Sequence, residues 1–143
     1  MQYKSVSIRR GGRGKADGLG PVLLMFAFGA SVYSFIETLW RGYTHWSMAV
    51  TGGACMATIY ALSGPLRGHS PAKKCAVGSA VITLYEFIAG CIVNLRMQWD
   101  VWDYSQLPLN FMGQVCALFS IFWFLLSAPA FFICNQLRKK LSR

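Results

Sequence analysis

Residues 75–95 read CAVGSAVITLYEFIAGCIVNL, and this stretch from Cys75 to Leu95 decides the class of the fold. Over 21 positions it carries one charged residue, Glu86. An α-helix rises ~1.5 Å per residue and the hydrocarbon core of a bilayer is ~30 Å thick, so about 20 apolar residues cross once. The run is long enough to do so. Its apolar residues do not alternate with period two, as the strands of a barrel would, and in lipid a helix satisfies every backbone polar group within the segment itself.

Working outward, three more runs share this character. Gly18 to Ile36 has no charge, Gly42 to Leu66 has none apart from the titratable His45, and Tyr104 to Leu137 has none over 34 positions. The sequence predicts transmembrane helices over Leu19 to Trp40, Trp46 to Ser63, Ala76 to Leu95 and Phe111 to Cys134. The fold class is all-α: a polytopic membrane protein with a four-transmembrane-helix bundle at 19–137. A basic flexible N-terminal arm, 1–18, precedes it and a basic cytoplasmic tail, 138–143, follows. Composition agrees, since only 13% of the 143 residues are charged against 55% hydrophobic, whereas soluble domains carry roughly 25% charged residues. Disorder, a coiled coil and a typical soluble enzyme are excluded. The first run is also too long, and ends too polar at Glu37, Trp40 and Arg41, for a cleaved secretory signal.

Lys and Arg number five before the first helix, one in the first loop (Arg41), three in the second (Arg67, Lys73, Lys74), one in the third (Arg96) and four after the last helix. Alternate segments thus hold twelve against two. Basic loops stay on the cytoplasmic side, which predicts both termini inside. The net charge of +9 follows from this topology and from attraction to anionic lipids, and gives no reason to expect nucleic acid as a partner. Trp40, Trp46, Trp99 and Trp102 fall at the outer boundary, where an indole buries its ring and keeps its N–H wet.

Several motifs fail. Gly14-Lys15 invites a phosphate-loop reading, but Arg9 and Ala16 stand where that loop needs Gly and Ser or Thr. The five cysteines are odd in number and form no C-x-x-C pair, so no metal site or cofactor is indicated. No nucleophile and base can be paired, and the reading is that the chain is not an enzyme.

Others survive. Ala49, Gly53, Ala57 and Ala61 recur every four residues, making a narrow face on which helices can approach closely in lipid. Glu37 and Arg41 are one turn apart and suited to pair near the outer interface. In the third helix Glu86, Gly90 and Asn94 form a polar stripe, with Glu86 ~15 Å into the hydrocarbon. An acidic group there must be neutral, paired or facing a wet cavity, and intramembrane carboxyls mark substrate or proton paths. Tyr33-Ser34-Phe35-Ile36 and Tyr85-Glu86-Phe87-Ile88 share three of four residues, a faint repeat between two helices that run in the same direction.

Residues 101–116 read VWDYSQLPLNFMGQVC. This segment resembles the W-D-Y-S-x-x-P-x-N-x-x-G-x-x-C signature of the bacterial membrane family catalogued as putative ABC-transporter permease type IV, the CmpB-like proteins. That family also places an acidic residue in a Tyr- and Gly-containing third helix, matched by residues 84–90, and one in its first helix, matched by Glu37. The resemblance implies a small multi-pass protein of the bacterial inner (plasma) membrane. Four helices per chain are few for a permease half, so a transport role calls for a homo-oligomer, a membrane partner subunit or a separate ATPase. In the signature itself, Asp103 and Asn110 are placed to accept from backbone N–H groups, Pro108 stops any helix before it, and Trp102 and Tyr104 are expected to anchor the loop at the interface. The favoured expectation is a transporter or permease component whose path is lined by Glu86, Gly90, Asn94 and Glu37. The rival is a non-transporting accessory or assembly subunit in which the same groups only hold helices together.

Overall fold

The computed structural model describes residues 14–143; Lys4, Arg9, Arg10 and Arg13 of the basic arm lie outside the described residues. One 3-10 turn, Lys15–Asp17, leads into α1 (Leu19–Arg41). α1 ends where Gly42 takes φ 78°, a left-handed conformation that needs no Cβ, and its N–H donates to the Thr38 carbonyl at 2.9 Å. α2 (Trp46–Ser63) is capped by the His45 ring, which accepts from the Ser47 N–H at 3.3 Å. α3 (Pro71–Gly90) is capped by Ser70, whose Oγ accepts from the Lys73 N–H at 3.3 Å, with Pro71 in the first turn where a missing N–H costs nothing. It continues as a π-helical turn over Cys91–Arg96, closed by the Met97 N–H donating to the Ile92 carbonyl. α4 (Ala117–Leu141) completes the set.

Three boundaries differ from the sequence reading. α3 begins at Pro71 rather than Ala76. α4 begins at Ala117 rather than Phe111, because Leu109, Met112 and Gly113 all have positive φ (53°, 53° and 68°) and no helix tolerates that. In place of a first helical turn, β1 (Asn110–Phe111) and β2 (Val115–Cys116) form an antiparallel ribbon, with Asn110 opposite Cys116. α4 also runs past Cys134 to Leu141, so Arg138, Lys139 and Lys140 belong to its last turns, where cations suit the helix dipole, and not to a separate tail.

Leu19–Arg41, the continuous Pro71–Arg96 and Ala117–Leu141 are long and apolar enough to cross a membrane. α2 is not among them, although a fourth span was expected there. Its Trp46, Ser47, Thr51, Gly52, Gly53, Thr58, Tyr60 and Ser63 make it less apolar than the other three, and ten of its 18 residues are buried, against three of 23 in α1. A helix covered by neighbours can hold Thr51, Thr58, Tyr60 and Ser63 that a lipid-facing helix would avoid.

The bundle is two antiparallel hairpins, α1 with α2 and α3 with α4. In the first, Gly29 and Gly52 face each other; a Cβ on Gly52 would overlap Tyr33, and one on Gly29 would overlap Met56. The expected small face is therefore displaced by one position. Gly53 is buried against the Phe26 ring, Ala49 and Ala57 are half-buried, and Ala61 is exposed. In the second hairpin, Ser79 Oγ donates to the Ser120 carbonyl (2.6 Å) and Thr83 shares a hydroxyl contact with Ser120 (3.0 Å). Thr58 of α2 meets the Tyr85 hydroxyl of α3 at 3.0 Å. α1 and α4 face each other across a cleft.

Candidate functional site

Glu86 lies one turn before the end of α3, where the π-helical turn takes over, and is 1% exposed. A carboxyl so deep must have both oxygens satisfied, and two neighbouring helices do this. The Tyr33 hydroxyl of α1 donates to Oε1, and the Trp123 Nε1–H of α4 donates to Oε2 at 2.8 Å. The Tyr33 and Trp123 rings lie 5.7 Å apart, tilted by 31°. Among the described residues, Glu86 takes part in no ion pair.

The two donors differ in kind. An indole N–H only donates, so Oε2 stays an acceptor. A phenol both donates and accepts, so Tyr33 can give its proton to a carboxylate or turn and receive one from a carboxylic acid. The geometry therefore accommodates either protonation state of Glu86 without losing a hydrogen bond.

Tyr33 and Trp123 are also walls of the cleft between α1 and α4. On one side lies an apolar cavity of about 180 Å³ reaching Gly29, Cys55 and Pro129. On the other is a larger one of about 1010 Å³, which opens at the end of the bundle where Glu37, Arg41, Asp100 and Asp103 stand. Tyr33, Ile36, Trp123 and Leu126 border both, so the two are parts of one cleft. Glu37 and Arg41 pair at its mouth, and Arg41 also donates from an Nη to the Val101 carbonyl at 2.5 Å.

Gly90 and Asn94 lie elsewhere, in a closed packing arrangement rather than along the cleft. Asn94 Nδ2 donates to Gln114 Oε1 and its Oδ1 accepts from the Val101 N–H, both at 2.8 Å. Gly90 leaves room for Trp102 and Gln114. The π-helical turn brings Val93 and Asn94 both inward, so the stripe read from four-residue spacing bends away from Glu86 beyond Gly90.

The signature loop folds back onto the bundle end. Asp103 Oδ1 accepts from the Ser105 N–H and Asn110 Oδ1 from the Gly113 N–H. The Ser105 N–H, together with the Ser105 hydroxyl donating to Oδ2, holds the Asp103 carboxyl below the usual aspartate range. Tyr104 stacks on Phe119 at 4.7 Å. Trp102 is a correction: expected at the interface, it is buried, and its Nε1–H donates to the Gln114 carbonyl at 3.0 Å. Trp40, Trp46 and Trp99 remain exposed.

The sequence reading missed Tyr33, Trp123 and Gln114. Tyr33 was visible in the faint repeat, and Trp123 is the one tryptophan set inside an apolar run rather than at its edge. It also missed Arg138, a buried residue that donates to Asp17 (2.6 Å), Ser63 Oγ (2.8 Å) and the Tyr60 carbonyl (3.0 Å) and lies 4.4 Å from the Tyr60 ring.

No curated protein and no solved structure matches the chain. A family model does, over residues 16–143, and that span takes in α1 to α4, the signature loop and the carboxyl held between Tyr33 and Trp123. On that match, the chain belongs to the membrane-protein family described as Putative ABC-transporter type IV.

Proposed function

We propose that this chain is a subunit of a transport system in which Glu86 is a proton-exchanging carboxyl at the middle of the membrane. The observation that carries the reading is the pair of donors, one fixed and one reversible, on a buried acid that has no basic partner among the described residues. Glu37, held by Arg41, would line the mouth of the cleft. Gly90 and Asn94 support the signature loop in this reading, and no catalytic chemistry is assigned to the chain. α2 serves as the fourth span, with both termini cytoplasmic and the signature loop outside, as the distribution of Lys and Arg requires. A path of useful bore needs a second copy or a partner subunit, and energy from ATP would need a separate ATPase.

The experiment is reconstitution in liposomes with proton flux read by an internal pH dye. Glu86→Gln keeps the shape and hydrogen bonding of the neutral acid and removes titration. The proposal expects a folded variant with its pH-dependent flux lost. An accessory subunit is the competing reading, favoured by the complete hydrogen bonding of Glu86 within one chain. It expects no flux from the parent protein, with unchanged stability and assembly in the variant.

A further inference from the structure

The chain carries +9 overall and has five carboxylates. Their placement is uneven. Glu37, Asp100 and Asp103 line the mouth of the α1–α4 cleft, and Glu86 stands directly behind its Tyr33 and Trp123 walls; only Asp17 lies at the other end, bound to Arg138. Among the described residues, the one basic residue lining the mouth is Arg41, which is paired with Glu37 and lies 5.0 Å from the Tyr43 ring. A strongly basic protein has thus gathered four of its five acids around one cavity. Inward from the mouth the lining is apolar and aromatic, and aromatic ring faces carry negative potential. An anion would meet repulsion at the rim. A neutral lipid would make no use of the carboxylates.

We infer that the cleft between α1 and α4 binds a lipophilic monovalent cation, its apolar body among the side chains of the two helices and its charge on the ring faces of Tyr33 and Trp123, with Glu86 behind them. This rests on the reading of Glu86 as the exchanging carboxyl and names the solute class exchanged. The cation and a proton on Glu86 compete, since protonation removes the negative charge that holds the cation. Binding releases the proton to water, and Tyr33 turns from acceptor to donor. Among the described residues, the other titratable groups whose charge acts on Glu86 are Glu37 on α1, Cys55 on α2 and Tyr104 in the signature loop.

The probes are tetraphenylphosphonium and tetraphenylborate, which have nearly the same shape and opposite charge, titrated onto the full chain in detergent. The cation should bind at least about tenfold more tightly than the anion, the equivalent of ~1.4 kcal/mol. Its affinity should fall as pH is lowered. Glu86→Gln should weaken it by about tenfold and abolish the pH dependence. Asp100→Asn, at an exposed position with φ 48° that asparagine tolerates, should weaken it about twofold at low salt and not at high salt. Equal binding of both probes marks a greasy groove for lipid or a second copy and overturns the assignment, as does cation binding that ignores Glu86→Gln. Glu86-dependent proton flux in liposomes without any tetraphenylphosphonium binding overturns the solute class alone. Cation binding that depends on Glu86 without proton flux leaves the site standing and overturns the exchange reading.

Discussion

At the scale of the residue, Glu86 is held by two donors that respond differently to substitution. Trp123→Phe keeps an aromatic ring but leaves Oε2 buried without a partner, and an orphaned buried acceptor costs ~1–3 kcal/mol. Tyr33→Phe removes the reversible partner of Oε1. Thermal denaturation in detergent should place both variants below the parent, and Trp123→Phe should cost less in a Glu86→Leu background than in the parent, since no buried acceptor is then left to orphan. If Trp123→Phe costs as much in that background, the indole stabilises by packing and not through the carboxyl. In the signature loop the sign of a pH effect follows from Asp103, whose folded-state pKa is depressed by Ser105. Its contribution to loop order is full above the ordinary aspartate value of ~3.9 and fades as pH falls through the lower folded value. Fluorescence of buried Trp102 should therefore change only in strong acid, and in Ser105→Ala at higher pH than in the parent. Glu86 was legible from its depth in a charge-free run. Its partners were not, because they come from helices 53 and 37 residues away and no spacing relates them.

At the scale of the element, the close contact of α1 with α2 turns on which glycine is substituted. A Cβ on Gly53 meets the tip of the Phe26 ring at 2.8 Å, and a ring tip can swing away. A Cβ on Gly52 meets Tyr33 at its Cβ and ring base (2.7 Å to Cγ), which cannot move without shifting α1. Gly52→Ala should cost ~1–3 kcal/mol, in the range of overpacked cores, and Gly53→Ala distinctly less. Heating both variants in detergent and following monodispersity tests the order; equal midpoints would show that the helices separate freely. The helices themselves were legible from charge-free length, but their close approach was read one residue out of register, because alanines and glycines at four-residue spacing mark a small face without saying which partner it meets. The start of α4 was misplaced for a related reason. Phe111, Met112 and Val115 are apolar, and only the left-handed backbone at Leu109, Met112 and Gly113 turns that stretch into a ribbon.

At the scale of the whole molecule, the basic asymmetry assigns an orientation that chemistry can test. Single-cysteine variants at Thr44 and Asp100 should react with an impermeant thiol reagent from outside the cell, and one at Ser70 only after permeabilisation. Labelling of position 70 in intact cells would reverse or break the topology. The same asymmetry concealed Arg138, counted as one of four tail charges yet buried against α2. A guanidinium reaches three acceptors in a fixed fork that an ammonium cannot reproduce. Arg138→Lys should therefore destabilise nearly as much as Arg138→Met, by ~1.5–3 kcal/mol, read from the same detergent melting.

Arg138 and Asp17 are 121 residues apart in sequence. On a ribosome that order becomes time: Asp17 and the α1–α2 hairpin are made long before the residue that fastens Asp17 to the end of α2. Until Arg138 is made, the Tyr60 carbonyl and the Ser63 hydroxyl have no guanidinium to accept from, and α4 is not yet present to form the far wall of the cleft. The cleft thus closes last during biosynthesis, and the hairpin must persist through that interval by its own packing, with Gly29 on Gly52, Phe26 on Gly53 and the Tyr60 hydroxyl donating to the Ala16 carbonyl.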